Sequence, residues 1–243
     1  MNNIPKIIHY CWFGKKEKPG IVKRCIKSWE RVLSGYKIVE WNEDNFDINS
    51  NKFVRQAYDA GKFAFVSDYV RVYALYNYGG IYLDTDVEVC KKFPDNILNN
   101  SSFWGFEEKN FIATSTIGAS KENKLIKQFL DLYNDKQFFK EDGSSNTLTN
   151  VAIISDVVKK LGIKLDGSYQ DIEGLATIYP QEYFSPYDYI NCYSKATQNT
   201  YTIHHYYKSW LPMSVRFKTS IKKIGAQVIG GKNIAKMRNL MIK

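Results

Sequence analysis

No run in this sequence approaches the roughly 18 apolar residues that a membrane-crossing helix needs. Its first residues also lack the basic stretch followed by an apolar one that marks a secretory leader. Neither a spanning helix nor a signal peptide is expected. Cysteine is sparse: Cys11, Cys25, Cys90 and Cys192 are scattered and show no metal-ligand spacing. They read as reduced, small core residues of a cytoplasmic protein. A glycine-rich phosphate loop of the Walker type is missing, which counts against that route to nucleotide binding. Acidic residues stop at Asp188, and the 55 residues that follow carry ten of the 34 Lys and Arg residues. The rest of the chain holds 24 basic against 25 acidic residues, so the net charge of +9 belongs to the tail.

What is present is ordinary for a globular protein: 243 residues, 44% hydrophobic and 24% charged. That length suits one large α/β domain with an appendage. The boundary is expected near residue 212, with 1–212 as the domain and 213–243 as a basic helical tail. Residues 4–14 read as a buried first strand running into a loop, with Ile7 and Ile8 in the core. His9, inside an apolar strand, reads as a structural histidine. Trp12 falls just past the strand, where open α/β sheets bind ligands and an aromatic can stack on a base. Residues 19–33 form an amphipathic helix started by Pro19, with Ile21, Cys25, Trp29 and Val32 on its apolar stripe. A second strand over 36–41 makes a parallel unit, closed by turn residues beginning at Asn42. A short helix over 53–58 stops at Gly61.

The most informative stretch is 65–88. Ser67 is expected to cap a helix, which puts Asp68 in its first turn. Asp68 and Arg71, three apart, share a face and can bind sugar hydroxyls or phosphate, or pair with each other. Gly79 ends the helix. Ile81, Tyr82 and Leu83 make a short strand that delivers Asp84 and Asp86 with one residue between them. Two carboxylates so placed suit a hard divalent cation that keeps positions free for phosphate oxygens.

The ordered string Ser-Asp-x-x-Arg, then Gly-Gly-x-Tyr-x-Asp-x-Asp, resembles the sugar-binding region of a glycosyltransferase family. Its members are the Asp-X-Asp enzymes related to yeast initiating α-1,6-mannosyltransferase and to bacterial capsular polysaccharide transferases. The glucosyltransferase domains of large clostridial toxins are more distantly similar. The resemblance implies an α/β fold of the GT-A type, which binds nucleotide-diphosphate sugars on a mixed, mainly parallel central sheet flanked by helices. It further implies a metal on the Asp-X-Asp and transfer with retention of anomeric configuration. The opening Lys-Ile-Ile-His-x-x-Trp resembles the family's first strand, which implies that Trp12 contacts the base; Asn42 is a base or ribose contact by resemblance alone.

Further on, strands are expected over 102–106 and 111–117 as a hairpin, helices over 121–133 and 149–161, and a short strand over 176–179. Val87 to Cys90 are expected to continue an edge, and Leu125, Phe129 and Leu132 to point inward. Residues 201–210 alternate like a strand, so His204 and His205 point to opposite faces. The family has a late His followed by Ser-Trp that closes over the diphosphate. By resemblance, His204 is the metal-side residue, with His205 as the fallback, and Ser209 and Trp210 close the site. In the tail, Phe217, Ile221, Ile224 and Val228 form one apolar stripe flanked by Arg216, Lys218, Lys222 and Lys223, a composition suited to an anionic membrane surface. No groove-reading motif accompanies the charge, so nucleic acid is not an expected partner.

The expectation is therefore a metal-dependent retaining glycosyltransferase at the inner face of the cell membrane. It would move a hexose from a nucleotide-diphosphate sugar, UDP-linked, to a glycan acceptor, a lipid-linked intermediate of capsule or O-antigen synthesis. Catalytic roles fall to Asp68, Arg71, Asp84 and Asp86. Donor contacts fall to these and to Trp12, Asn42, Tyr82, Ser209 and Trp210, and Mn²⁺ or Mg²⁺ to Asp84, Asp86 and His204. No residue reads as a covalent nucleophile, which favours same-face attack. The alternatives are another metal-dependent phosphoryl enzyme and a non-catalytic scaffold at the membrane surface.

Overall fold

The computed structural model describes residues 3–108, 111–140, 142–145 and 150–207, with Gly230, Gly231, Asn233 and Ile234. The boundary at 212, nearly all of the basic tail, and Ser209 and Trp210 lie outside the described residues. Among the described residues, no helix is long and apolar enough to cross a membrane.

Among the described residues, seven strands build the central sheet. Strand β1 (Ile7–Cys11) leads through α1 (Gly20–Val32) to β2 (Lys37–Trp41), which pairs parallel to it. Pro19 sets the start of α1, and its Val22, Cys25 and Trp29 are buried. A 3₁₀ turn (Ile48–Ser50) precedes α2 (Lys52–Asp59), whose first amides donate to the Asn51 side chain. Helix α3 (Phe63–Tyr78) then runs into β3 (Gly80–Leu83), which lies parallel to β1 on its other side. Next come β4 (Val87–Val89), α4 (Asp95–Leu98), the hairpin of β5 (Ser102–Glu108) and β6 (Phe111–Ala119), α5 (Lys124–Asp131) and α6 (Asn150–Lys160). The chain continues through β7 (Gln170–Ile172), β8 (Ala176–Tyr179), α7 (Gln181–Phe184), β9 (Tyr187–Asp188), β10 (Tyr193–Ser194) and β11 (Thr202–His204).

The sheet order is β2-β1-β3-β6-β5-β8-β7. Only β6 and β7 run against the other five strands, so the sheet is mixed and mainly parallel, as expected. Alternation along each strand divides the core in two. Cys11, Tyr82, Trp104 and Ile178 pack on one face with residues of α2, α3, α5 and α6. Ile8, Tyr10, Ile81, Leu83 and Phe103 pack on the other with residues of α1, α4 and α7. Every residue of β3 is buried, the pattern of a strand covered on both faces.

Several local expectations are revised. Ser67 lies inside α3, a turn past its start at Phe63, and its hydroxyl donates to the Phe63 carbonyl at 3.0 Å. A mid-helix serine can satisfy itself on the preceding turn as readily as it can cap. Strand β4 leaves the main sheet and pairs antiparallel with β11 as a separate ladder. Helix α5 starts later than expected because Asn123 caps it, behind Glu122 at φ +58°. Leu132, just past its end, is exposed, while Ile126 takes the inward position. All four cysteines are free, but only Cys11 and Cys25 are core residues; Cys90 is exposed and Cys192 half-buried.

His9 is structural. Its Nδ1 accepts from the Trp41 indole at 3.2 Å, which leaves Nε2–H to donate to the Gly79 carbonyl at 2.8 Å. Burial pulls its pKa down to about 4. The neutral ring thereby ties β1 to β2 and to the end of α3.

Candidate active site

The site lies where β3 ends. Gly79 (φ +65°) and Gly80 (φ +112°) reverse the chain from α3 into β3. A Cβ on Gly79 would meet the Lys121 amide at 2.7 Å, and one on Gly80 the Ile7 carbonyl at 2.6 Å, so both positions require glycine. The reversal brings Asp68 and Arg71 of α3 alongside Asp84. Helix α3 is apolar around much of its circumference, and this draws Arg71 inside.

The Arg71 side chain is 6% exposed, and its Nη2 lies 3.0 Å from Asp68 Oδ1 and 3.3 Å from Asp84 Oδ1. Nη1 donates to the Thr114 carbonyl at 2.6 Å, and the guanidinium sits 4.7 Å over the Tyr82 ring. The Tyr82 hydroxyl donates to Asp84 Oδ1 at 3.1 Å. Arg71 is thus a buried clamp between two carboxylates. Tyr82, expected to contact the donor, is 1% exposed, and its hydroxyl supports Asp84. Burial raises the Asp68 pKa to about 6, with Arg71 opposing the shift.

Asp86 is held differently. The Tyr207 amide donates to its Oδ2 at 2.7 Å, and His204 Nε2 lies 3.4 Å from its Oδ1. Burial alone would raise its pKa, but His204 and the Tyr207 amide outweigh this and hold it at about 2. The converse holds for His204: burial works against its protonation, Asp86 overcomes that, and the pKa ends above the ordinary value. The expected strand is shorter than its alternating sequence: β11 ends at His204, and His205 follows just past the ladder with β4. His204 turns to Asp86, whereas His205 bonds Glu88 at 3.0 Å.

Ligand atoms of Asp84, Asp86 and His204 lie within 4.8 Å of one another. Two carboxylates and an imidazole form a donor set suited to Mn²⁺ and acceptable to Mg²⁺. His204 Nδ1 is buried without a hydrogen-bond partner among the described residues, so this ring has coordination capacity to spare. The residues fit a divalent cation.

Trp12 and Asn42 sit past the ends of β1 and β2, at the same edge of the sheet as Asp84, but neither bonds the cluster. The Trp12 indole donates to the Lys16 carbonyl at 2.6 Å, with Lys18 5.8 Å from its ring. The Asn42 side chain receives the Asp44 amide and reaches Glu40, as a turn residue does. A further neighbour is not signalled in the sequence: Asn150, at the start of α6, is buried and donates to Asp68 Oδ1 at 3.4 Å. No motif marks it; it arrives through the packing of α6.

Residues 1–160 match the family described as "Capsular polysaccharide synthesis protein". The chain belongs to that family. Among proteins similar to this member is inositol phosphoceramide mannosyltransferase 1 of Schizosaccharomyces pombe, 29% identical over 42% of this chain and 34% of that protein. This chain therefore spans about a third of the length of that relative. An uncharacterized glycosyltransferase of Acanthamoeba polyphaga mimivirus is 24% identical over 86% of this chain and 84% of its own. The solved structure of the PaToxG glycosyltransferase aligns with a TM-score of 0.50 at 18% identity, over 65% of this chain and 70% of that one. The fold is of the GT-A type, and the resemblance carried by residues 65–88 is borne out.

Proposed function

We propose that this member of the capsular polysaccharide synthesis family is a metal-dependent retaining glycosyltransferase. It moves a hexose from a nucleotide-diphosphate sugar, UDP-linked, to a glycan acceptor, a lipid-linked intermediate of capsule or O-antigen assembly. The observation that carries this reading is the meeting of Asp84, Asp86 and His204 beside the buried Asp68–Arg71 pair. The family and its glycosyltransferase relatives support the class of reaction. A relative named for inositol phosphoceramide supports an acceptor held at a membrane.

Asp84, Asp86 and His204 would hold Mn²⁺ or Mg²⁺. When bound, the cation neutralises charge on the departing nucleoside diphosphate, where electrostatic stabilisation is worth most. Asp68, with one oxygen engaged by Arg71, accepts from hydroxyls of the donor sugar. Arg71 fixes both carboxylates in one geometry, so that the sugar enters a site already organised. Trp12 stacks on the base, Asn42 meets base or ribose, and Ser209 and Trp210 close over the phosphates. The basic tail over 213–243 rests on the anionic inner surface of the membrane.

Asp86→Asn tests the assignment. It keeps the acceptor for the Tyr207 amide and removes the charge. Transfer should fall to background while the melting temperature stays within a few degrees of wild type; normal turnover in this variant would rule out the metal role.

A further inference from the structure

A half-open groove of about 480 Å³ lies between α1 and the ladder of β4 and β11. It shares no residue with the Asp84–Asp86–His204 cluster. Ile21, Cys25 and Ser28 form its floor along α1. Ser28 is already satisfied, donating to the Cys25 carbonyl and receiving the Val89 amide, so the floor makes no polar demand on a ligand.

The rim carries charge. Arg24, Lys27 and Arg31 follow one another at three and four residues, which puts them on one face of the helix. All three are exposed, and none has an ion pair among the described residues. The neighbouring cations differ: Lys23 pairs with Glu17 and Lys18 with Glu40. The acidic residue lining the groove is Glu88, already bonded to His205 at 3.0 Å. Three cations without an ion pair among the described residues therefore face a concavity whose size falls in the ~300–1,000 Å³ range of small-molecule sites.

We propose that this groove binds a phosphate-bearing anion. Two guanidiniums supply planar forks that match phosphate oxygens, and Lys27 adds a point charge between them. Arg31 lies seven helical steps beyond Arg24, a rise of about 10 Å, so the row can engage a diphosphate or a phosphodiester over its length. The phosphate belongs either to a soluble ester or to a phospholipid head group.

The test uses the full chain and the variant Arg24→Gln/Arg31→Gln, both in chelator so that no cation recruits phosphate to the Asp84 cluster. One arm titrates inorganic phosphate by calorimetry. The other sediments the proteins with vesicles of phosphatidylglycerol or of phosphatidylcholine. Saturable phosphate binding that weakens at least tenfold in the double variant assigns the soluble ester. Sedimentation with phosphatidylglycerol alone, reduced several-fold in the variant, assigns the head group. Because the tail is intact in both proteins, only their difference counts. Glu88→Gln, which removes the opposing charge, should tighten whichever binding is seen. If wild type and double variant behave alike in both arms, the proposal is overturned. Both readouts are binding, so they stand or fall separately from the transferase reading.

Discussion

Replacing Arg71 by Met should be the most costly single change in the candidate site. Arg71, Asp68 and Asp84 side chains are 6%, 17% and 26% exposed, so solvent screens their interaction only weakly. Arg71→Met leaves the Asp68 and Asp84 carboxylates facing an apolar thioether where the guanidinium stood 3.0 and 3.3 Å away, and strips the Thr114 carbonyl of its donor. Removing one partner of a buried ion pair costs about 3–5 kcal/mol, mostly because the remaining charge stays buried without compensation. For a chain of this length each kcal/mol moves the melting temperature by about 2–4 °C. The expected loss is therefore about 6–20 °C by calorimetry, with a matching fall in the urea midpoint. Asp68→Asn in the same background removes one orphaned charge and should recover at least ~1 kcal/mol, a coupling visible in a double-mutant cycle. A loss below ~1 kcal/mol for Arg71→Met would show that the clamp carries little energy, and the reasoning would fail.

Other expectations can be checked with the same protein. His9, neutral in the fold at a pKa of about 4 against an ordinary 6.5, contributes stability that is present above pH 6.5 and lost as the pH falls toward 4. The gap amounts to about 3 kcal/mol. His9→Gln keeps an acceptor and a donor but cannot titrate, so its unfolding free energy should fall less across that window; identical slopes would refute the assignment. Gly118→Ala places a Cβ 2.0 Å from Phe103 Cε1 in the core, and overpacking of this kind costs about 1–3 kcal/mol in urea unfolding, whereas an unchanged midpoint would mean that the hairpin yields freely. Deleting the residues after Pro212 should move the protein from the membrane fraction to the soluble one; unchanged partitioning would count against docking by the tail.

The centre of the site was legible because its signals are local. Helical spacing, two glycines, a short apolar run and two alternate aspartates fall within two dozen residues, and each has one good structural reading. That His204 and His205 meet different partners agrees with the expected alternation, although the strand itself stops at His204. What was missed depends on packing. Ser67 has chemistry that serves a cap or a helix interior equally, and the apolar residues from Phe63 onward decided between them. The burial of Tyr82 and Arg71 follows from α3 lying between α2, α5 and the sheet, which no short window reports. The bond of His9 to Gly79 spans 70 residues, and the approach of Asn150 to Asp68 spans 82. The departure of β4 from the main sheet depends on β11, more than 110 residues later.

The central claim is that Asp84, Asp86 and His204 bring a metal to a sugar nucleotide. It is tested most directly by nucleoside diphosphate release from a panel of sugar nucleotides, in Mn²⁺, in Mg²⁺ and in chelator, with wild type beside Asp86→Asn. Release is expected from one donor, UDP-linked, with either cation, greater in Mn²⁺, and none in chelator or in the variant. Release that persists undiminished in chelator and in Asp86→Asn would contradict it.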